Sequence, residues 1–295
     1  MMEKIGICGT GLMGASMAQI FAEQGYETKI YGRTEASLER AKKIIHLNGR
    51  GNLVYTTSLE DLKNSDLIIE SIVEDLEIKQ EFFEKLSRIV GPETILATNT
   101  SGLSVNAVGA RIDRKERFLG MHWFNPSHLI PLIEIIRNEE TEDLYVKKVY
   151  ELAVAIGKKP VICRNDVPGF IANRIQFAVL RECMDIVEKG TATVADVDQV
   201  MKYGLGFRYA AYGPFEVADF GGLDTFYHIS EYLNRDLCDS GKPQRLIEDL
   251  YRAGHYGVKN GHGFYDYSDG RAEKAVEIRN KKFEDMKKMQ DNWEE

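Results

Sequence analysis

No apolar run in this chain approaches the roughly 20 residues that a membrane-spanning helix needs, and a strand-like apolar pattern is under way by Ile5, which leaves no room for a signal peptide. Positive charge is not in excess either: 38 Lys and Arg stand against 46 Asp and Glu, a formal net charge of −8. That balance disfavours a general nucleic-acid binder, while a local basic pocket for phosphates remains open. The four cysteines, Cys8, Cys163, Cys183 and Cys238, are scattered, with no Cys-x-x-Cys and no close histidine. They read as buried small hydrophobes, and not as a disulfide framework or a zinc site. Internal repeats and low-complexity segments are missing too. These absences predict a cytoplasmic protein with no membrane, nucleic-acid or metal partner, and 295 residues suffice for about two domains.

The chain opens with KIGICGTGLMGASMAQIFAEQG. A short apolar strand runs into Gly9, Gly11 and Gly14 at Gly-x-Gly-x-x-Gly spacing, then continues as a helix carrying Met17, Ile20 and Phe21 at helical intervals. Gly9 permits the tight turn, Gly11 lets a pyrophosphate approach the backbone, Gly14 lets the helix pack on the strand, and the helix N-terminus faces the anion. Alone the motif is weak. Here it follows a strand, opens a helix and precedes a second strand, ETKIYG, and in that context it predicts dinucleotide binding. Further apolar strands are expected at SDLIIESI, TILATNT, RFLGMHW and LIPLIEII, with a helix EIKQEFFEKLSRIV between the first two. The alternation predicts a mostly parallel, doubly wound, Rossmann-like α/β sheet.

Beyond KKPVICRNDVPGFIANRI the rhythm changes to helices, NRIQFAVLRECMDIVEKG and TVADVDQVMKYG, the second opened by Thr193 with Asp196. The loop AAYGPFEVADFGGLD and another helix follow. Pro and Gly near Asn165–Gly169 set the boundary, giving a dinucleotide-binding domain over 1–166 and an all-α domain over 167–295. The tail from about Ala272 is charge-rich and reads as a solvated helix.

GMHWFNPSHLIPLIEII sets His122 and Glu134 twelve positions apart in a mostly apolar passage. Pro126 and Pro131 rule out an uninterrupted helix across the interval, so the fold must bring the two side chains together if they meet. On this stretch alone they also read as a satisfied, partly buried histidine and an edge charge.

Taken in order, GTGLMG, IVEDLEIKQEFF, ILATNTSGLS, GMHWFNP, IPLIEII, DVPGFIANRI, GPFEVADFGGLD and KNGHGFYDY cover nearly the whole chain and resemble the 3-hydroxyacyl-CoA dehydrogenase family, bacterial 3-hydroxybutyryl-CoA dehydrogenases in particular. The resemblance implies a Rossmann domain followed by a helical domain that also makes a homodimer, an NAD(P) cofactor, and a short-chain acyl-CoA substrate such as 3-hydroxybutyryl-CoA or acetoacetyl-CoA. It implies His122 as general base, Glu134 as the carboxylate holding it, Ser101 on the reacting oxygen and Asn173 on the substrate carbonyl, with the site in the cleft between the domains. Gly9, Gly11, Leu12, Met13 and Gly14 fall in its cofactor turn, and Glu74, Lys79, Asn99 and Asn125 on its positions along the ribose and nicotinamide. The chemistry needs such a pair. Hydride leaves C3 for the nicotinamide while the hydroxyl proton needs an acceptor, and a carboxylate on the other ring nitrogen fixes the histidine tautomer.

Two departures bear on specificity. Where NAD enzymes usually place an acid after the second strand, this chain has Gly32 and Arg33. An acid there would repel a 2′-phosphate, whereas glycine leaves space and arginine can pair with the phosphate, which favours NADP over the family's usual NAD. Arg33 also reads as an exposed arginine stacking on adenine. The second departure is a short segment between YGRT and SDLIIE, where the family carries a CoA-contacting helical arm. GLGFRYAAYGP further resembles dehydrogenases of small polar hydroxy acids such as gulonate and carnitine, with Arg208 as a candidate for a free carboxylate, a structural ion pair or a CoA phosphate. The C-terminal GHGFYDY favours the acyl-CoA branch. A dehydrogenase of a free polar 3-hydroxy acid stays as one alternative, and a non-catalytic, crystallin-like protein as another.

Overall fold

A computed structural model describes residues 2–47 and 51–293. By internal contacts the chain divides into two compact units, Met1–Arg174 and Ile175–Glu295. The first holds β1 (Lys4–Cys8), β2 (Glu27–Tyr31), β3 (Leu53–Thr56), β4 (Leu67–Glu70), β5 (Ile95–Thr98), β6 (Phe118–Trp123), β7 (Leu132–Arg137) and β8 (Lys159–Cys163). Their spatial order is β3-β2-β1-β4-β5-β6-β7-β8. Neighbours are parallel except β6 and β7, which pair antiparallel. Helices α1 (Leu12–Glu23), α2 (Glu35–Ile44), α3 (Leu76–Ile89), α4 (Val105–Val108) and α5 (Asp143–Ala155) make the connections. The fold is the doubly wound α/β sheet that the alternation predicts.

Strand alternation sorts the apolar side chains onto two faces. Ile5, Ile7, Leu67, Ile69, Met121, Ile133 and Ile135 join Met17 and Phe21 of α1 and Val149 of α5 in one core. Ile68, Leu96, Phe118 and Ile136 join Phe83 and Leu86 of α3 in the other. Each such side chain removed from water contributes about 1.5–3 kcal/mol, so the strands are anchored on both sides. Their carboxyl ends, where ligands bind in open α/β sheets, then present Gly9, Glu70, Thr98 and His122 on fixed backbone.

The second unit is helical, as expected. After α6 (Ala172–Glu188) come α7 (Val194–Val200), a π-helical turn Met201–Leu205, α8 (Gly206–Tyr209), α9 (Pro214–Gly221), α10 (Leu223–Leu233), α11 (Arg245–Arg252) and α12 (Arg271–Trp293), the charge-rich tail. Thr193 and Asp196 form a reciprocal capping box at the start of α7, the Thr193 Oγ1 accepting from the Asp196 N–H at 3.2 Å and an Asp196 carboxylate oxygen accepting from the Thr193 N–H at 3.2 Å. All four cysteines are free: Cys8 and Cys163 are buried as expected, but Cys183 and Cys238 are only half-buried. Among the described residues no helix is long and apolar enough to cross a membrane.

Candidate active site

The glycine turn after β1 explains itself sterically. Gly9 has φ 127°, and a Cβ there would lie 2.2 Å from the Ser71 carbonyl oxygen; a Cβ on Gly14 would lie 2.1 Å from the Gly9 carbonyl oxygen. Gly11 is the opposite case, with nothing within 4 Å of its would-be Cβ. Two glycines are therefore demanded by backbone contact and the middle one opens onto space. Leu12, Met13 and Gly14 begin α1, where the N–H groups lack intrahelical acceptors and Gly11 offers no side-chain cap. A pyrophosphate fits that cradle. Gly14→Ala should cost about 1–3 kcal/mol of stability, as overpacking does. An unchanged urea midpoint would refute the contact.

From this turn a cleft of about 650 Å³ runs between α2 and α3, lined by Tyr31, Arg33, Arg40, Ile72, Phe82 and Lys85 among others. Gly32 also lines it, but the expectation that this glycine leaves space needs correction. Gly32 is buried, and a Cβ there would fall 2.6 Å from Ser37 Oγ, 2.7 Å from Thr10 Cγ2 and 2.8 Å from Leu38 Cδ2. The first turn of α2 fills the place where an acidic side chain would begin, so packing excludes the acid. Arg33 itself is exposed.

His122 and Glu134 sit directly opposite each other on the antiparallel strands β6 and β7. Twelve residues of separation are two strand halves and a connecting loop. His122 Nδ1 and Glu134 Oε2 are 2.8 Å apart, and both residues are buried. The second carboxylate oxygen, Oε1, accepts from the Ile171 N–H at 3.0 Å and the Ala172 N–H at 2.8 Å, at the start of α6. Burial pushes the Glu134 pKa up, but the hydrogen bonds from His122, Ala172 and Ile171 and the charge of His122 together hold it below the ordinary glutamate value. The imidazole is flanked by Phe124, ring centroids 4.5 Å apart, and Phe170, at 5.8 Å. Phe170 is buried with φ 49°, a left-handed conformation uncommon for a bulky residue, directly before the two N–H groups that hold Glu134. With Nδ1 on the carboxylate, Nε2 is the ring nitrogen left for chemistry.

A second network, buried at Lys79, Glu70 and Thr98 and open at Glu74 and Ser101, lies at the ends of β4 and β5. Lys79, on α3, is buried with its ammonium 2.5 Å from Glu70 and 3.2 Å from Glu74. Glu70 also accepts from Thr98 Oγ1 at 2.7 Å and the Ile72 N–H at 2.7 Å. Glu74 accepts from the Thr100 hydroxyl and from the Ser101 N–H at 3.0 Å. Burial raises the Glu74 pKa, but these bonds and the Lys79 charge bring it below the ordinary value. Lys79 thus faces two carboxylates, and its order reaches Ser101 through Glu74. Asn173 Nδ2 donates to the Ser101 carbonyl at 3.0 Å. Asn99 ties three strand ends, accepting from the Trp123 N–H at 2.8 Å and donating to Ser71 Oγ at 3.3 Å. Asn125 is exposed and precedes a cis peptide bond to Pro126. The sequence reading does not include Glu70, Thr98 or Thr100; the available signal is a glutamate inside the apolar run LIIE with a lysine nine positions on.

Arg208 lies on α8 in the second unit, exposed, and its guanidinium has no ion-pair or hydrogen-bond partner among the described residues. Between α2 and β3 no second helix occurs among the described residues, although 48–50 of that connection lie outside them.

The family model described as "3-hydroxyacyl-CoA dehydrogenase, NAD binding domain" matches residues 4–167, and "3-hydroxyacyl-CoA dehydrogenase, C-terminal domain" matches 169–267. A probable 3-hydroxybutyryl-CoA dehydrogenase of Deinococcus radiodurans is 37% identical over 90% of this chain and 100% of its own length. A 5-formyl-3-hydroxy-2-methylpyridine 4-carboxylate 5-dehydrogenase of Mesorhizobium japonicum is 33% identical over 95% of this chain and 98% of its own. A crystal structure of a 5-dehydrogenase of that pyridine acid, described as an NAD+-dependent dismutase, superposes with a TM-score of 0.92 at 32% identity, covering 98% of each chain.

Proposed function

The chain belongs to the 3-hydroxyacyl-CoA dehydrogenase family, and from that premise we propose that it is an NAD(P)-dependent dehydrogenase interconverting a short-chain (S)-3-hydroxyacyl-CoA, such as 3-hydroxybutyryl-CoA, with the 3-keto form. The observation that carries this reading is the buried His122–Glu134 pair at 2.8 Å. When bound, the nicotinamide supplies the site that accepts or returns the hydride. His122 Nε2 takes the hydroxyl proton in oxidation and returns it in reduction, and Glu134 stabilises the imidazolium so formed. Ser101 donates its hydroxyl to the reacting oxygen, and Asn173 donates to the substrate carbonyl. The Gly9–Gly14 turn holds the pyrophosphate, while Glu74, Asn99 and Asn125 line the ribose and nicotinamide, with Lys79 holding Glu74 in place. Arg33 and the missing acid at Gly32 favour NADP. Self-association through the helical unit is supported by Tyr203, Phe207, Phe215 and Phe220, each at least 74% exposed in the single chain. The enzyme then works as a cytoplasmic homodimer.

A second reading, oxidation of a small free carboxylic acid, is favoured by two observations. Arg208 has no ion-pair partner among the described residues, and the relative named for a pyridine carboxylate spans 95% of this chain against 90% for the 3-hydroxybutyryl-CoA relative. Initial rates with acetoacetyl-CoA and free acetoacetate separate the two. A CoA handle supplies remote binding energy that positions the ketone, so the acyl-CoA reading expects kcat/KM on the order of a hundredfold higher for the thioester. Arg208→Ala should then leave most short-chain activity, whereas a free-acid enzyme should lose about ten- to a hundredfold. Turnover of a free 3-hydroxy acid with none on any acyl-CoA would overturn the first reading and leave the general base standing.

A further inference from the structure

The dinucleotide cleft of the first unit carries more positive charge than the GRT sequence announces. Thr34 caps α2, its Oγ1 accepting from the Ser37 N–H at 3.2 Å, and Ser37 and Arg40 follow one another on the helix face that lines the cleft. Across from them α3 presents Ile78, Glu81, Phe82 and Lys85, the i, i+3, i+4 and i+7 positions of a single face. Arg33, Arg40 and Lys85 all line this cleft and are all exposed. None of the three has a carboxylate within ion-pair distance among the described residues; of the neighbouring acids, Glu39 pairs with Lys42 at 2.7 Å and Glu84 with Arg88 at 2.7 Å. Among the described residues Glu81 is the only carboxylate in the lining. Three unpaired cations around one concave, partly apolar cleft create a field that selects a compact dianion. Arginine forks match phosphate oxygens, and a lysine adds a mobile point charge. Ile72, Ile78 and Phe82 meanwhile offer the apolar surface that an adenine ring covers.

We propose that Arg33, Arg40 and Lys85 form a seat for a phosphomonoester on the adenosine ribose, so that Arg40 and Lys85 are specificity-determining residues for the cofactor alongside Arg33. The seat rests on the reading that this cleft takes a nicotinamide dinucleotide. It requires no acid-free cavity at Gly32; the exclusion of an acid by the packing of α2 only removes a repulsion, and the three cations supply the attraction.

Calorimetric titration of the full-length protein with 2′,5′-ADP and with 5′-AMP tests the seat without any turnover. The wild type should bind 2′,5′-ADP at least about tenfold more tightly. Arg40→Ala and Lys85→Met should each lower 2′,5′-ADP affinity by about tenfold, as Arg33→Ala does, and leave 5′-AMP affinity within about twofold. Thermal melts matching the wild type show that the variants fold. Binding of both nucleotides with equal affinity, or 2′,5′-ADP affinity unaffected by Arg40→Ala and Lys85→Met, overturns the seat and leaves the dinucleotide reading intact. Failure of both nucleotides and of NADH to bind overturns the dinucleotide reading along with it.

Discussion

Replacing His122 with glutamine is expected to lower turnover by about 10²–10⁴, the span of a positioned general base, while nicotinamide affinity stays unchanged. Glutamine is close in size, can still donate to Glu134, and sits on a strand whose neighbours Leu119 and Met121 are packed in the core. The fold should therefore survive. The cofactor turn belongs to β1 and α1, on a different part of the sheet edge, so a fluorescence titration with NADH should be unaltered. What the variant lacks is an imidazole nitrogen at the Nε2 position to take the substrate proton. Near-normal turnover in the folded variant would show that another group takes the proton. A parallel loss of NADH binding would show that His122 shapes the cleft and that its kinetic effect says nothing about proton transfer.

How much of this site the sequence reveals depends on where each residue sits in the sheet. Central strands are buried on both faces and read as unbroken apolar runs, which is why LIIE, ILAT and FLGMHW are visible. The two strands the reading misses, β3 and β8, are the two edges of the sheet. LVYT buries only Thr56 fully and so makes no unbroken apolar run, and KPVIC contains a proline, which an edge strand tolerates. The pairing of His122 with Glu134 needs an antiparallel register that no local periodicity encodes, so from residues alone it stays a possibility and the family resemblance supplies the rest. Gly32 is misjudged for a related reason: glycine signals that a side chain is absent, but whether solvent or Ser37 fills the gap depends on how α2 packs. Arg40 and Lys85 are ordinary helix cations until two helices are known to flank one cleft.

Glu134→Gln should be nearly as damaging to oxidation as loss of the histidine, about 10⁴ by analogy with an Asp-to-Asn change in a serine-protease triad, and for a reason that geometry makes specific. Glu134 uses its oxygens separately: Oε1 accepts from the Ile171 and Ala172 N–H groups, and Oε2 faces His122 Nδ1. A glutamine has one acceptor and one NH₂. Two backbone donors hold the acceptor toward α6, because turning the NH₂ to them would oppose donor to donor and leave both N–H groups without an acceptor. The NH₂ then points at Nδ1 and forces it to accept, which moves the imidazole proton to Nε2. A protonated Nε2 cannot take the substrate proton, so the base is present but in the wrong tautomer. Nitrogen-15 chemical shifts of His122 should report the exchange of protonated nitrogen, a change that simple loosening of the loop would not produce. Stability carries an independent signature. Because the Glu134 pKa is held below the ordinary value of 4.5, the carboxylate contributes stability that is present above that value and lost as pH falls through the lower, folded-state value. Acid unfolding of the wild type should show this component and the glutamine variant should lack it. Superimposable acid profiles, together with an unchanged Nδ1–H tautomer, would mean that Glu134 neither bears its charge in the folded state nor sets the orientation of His122.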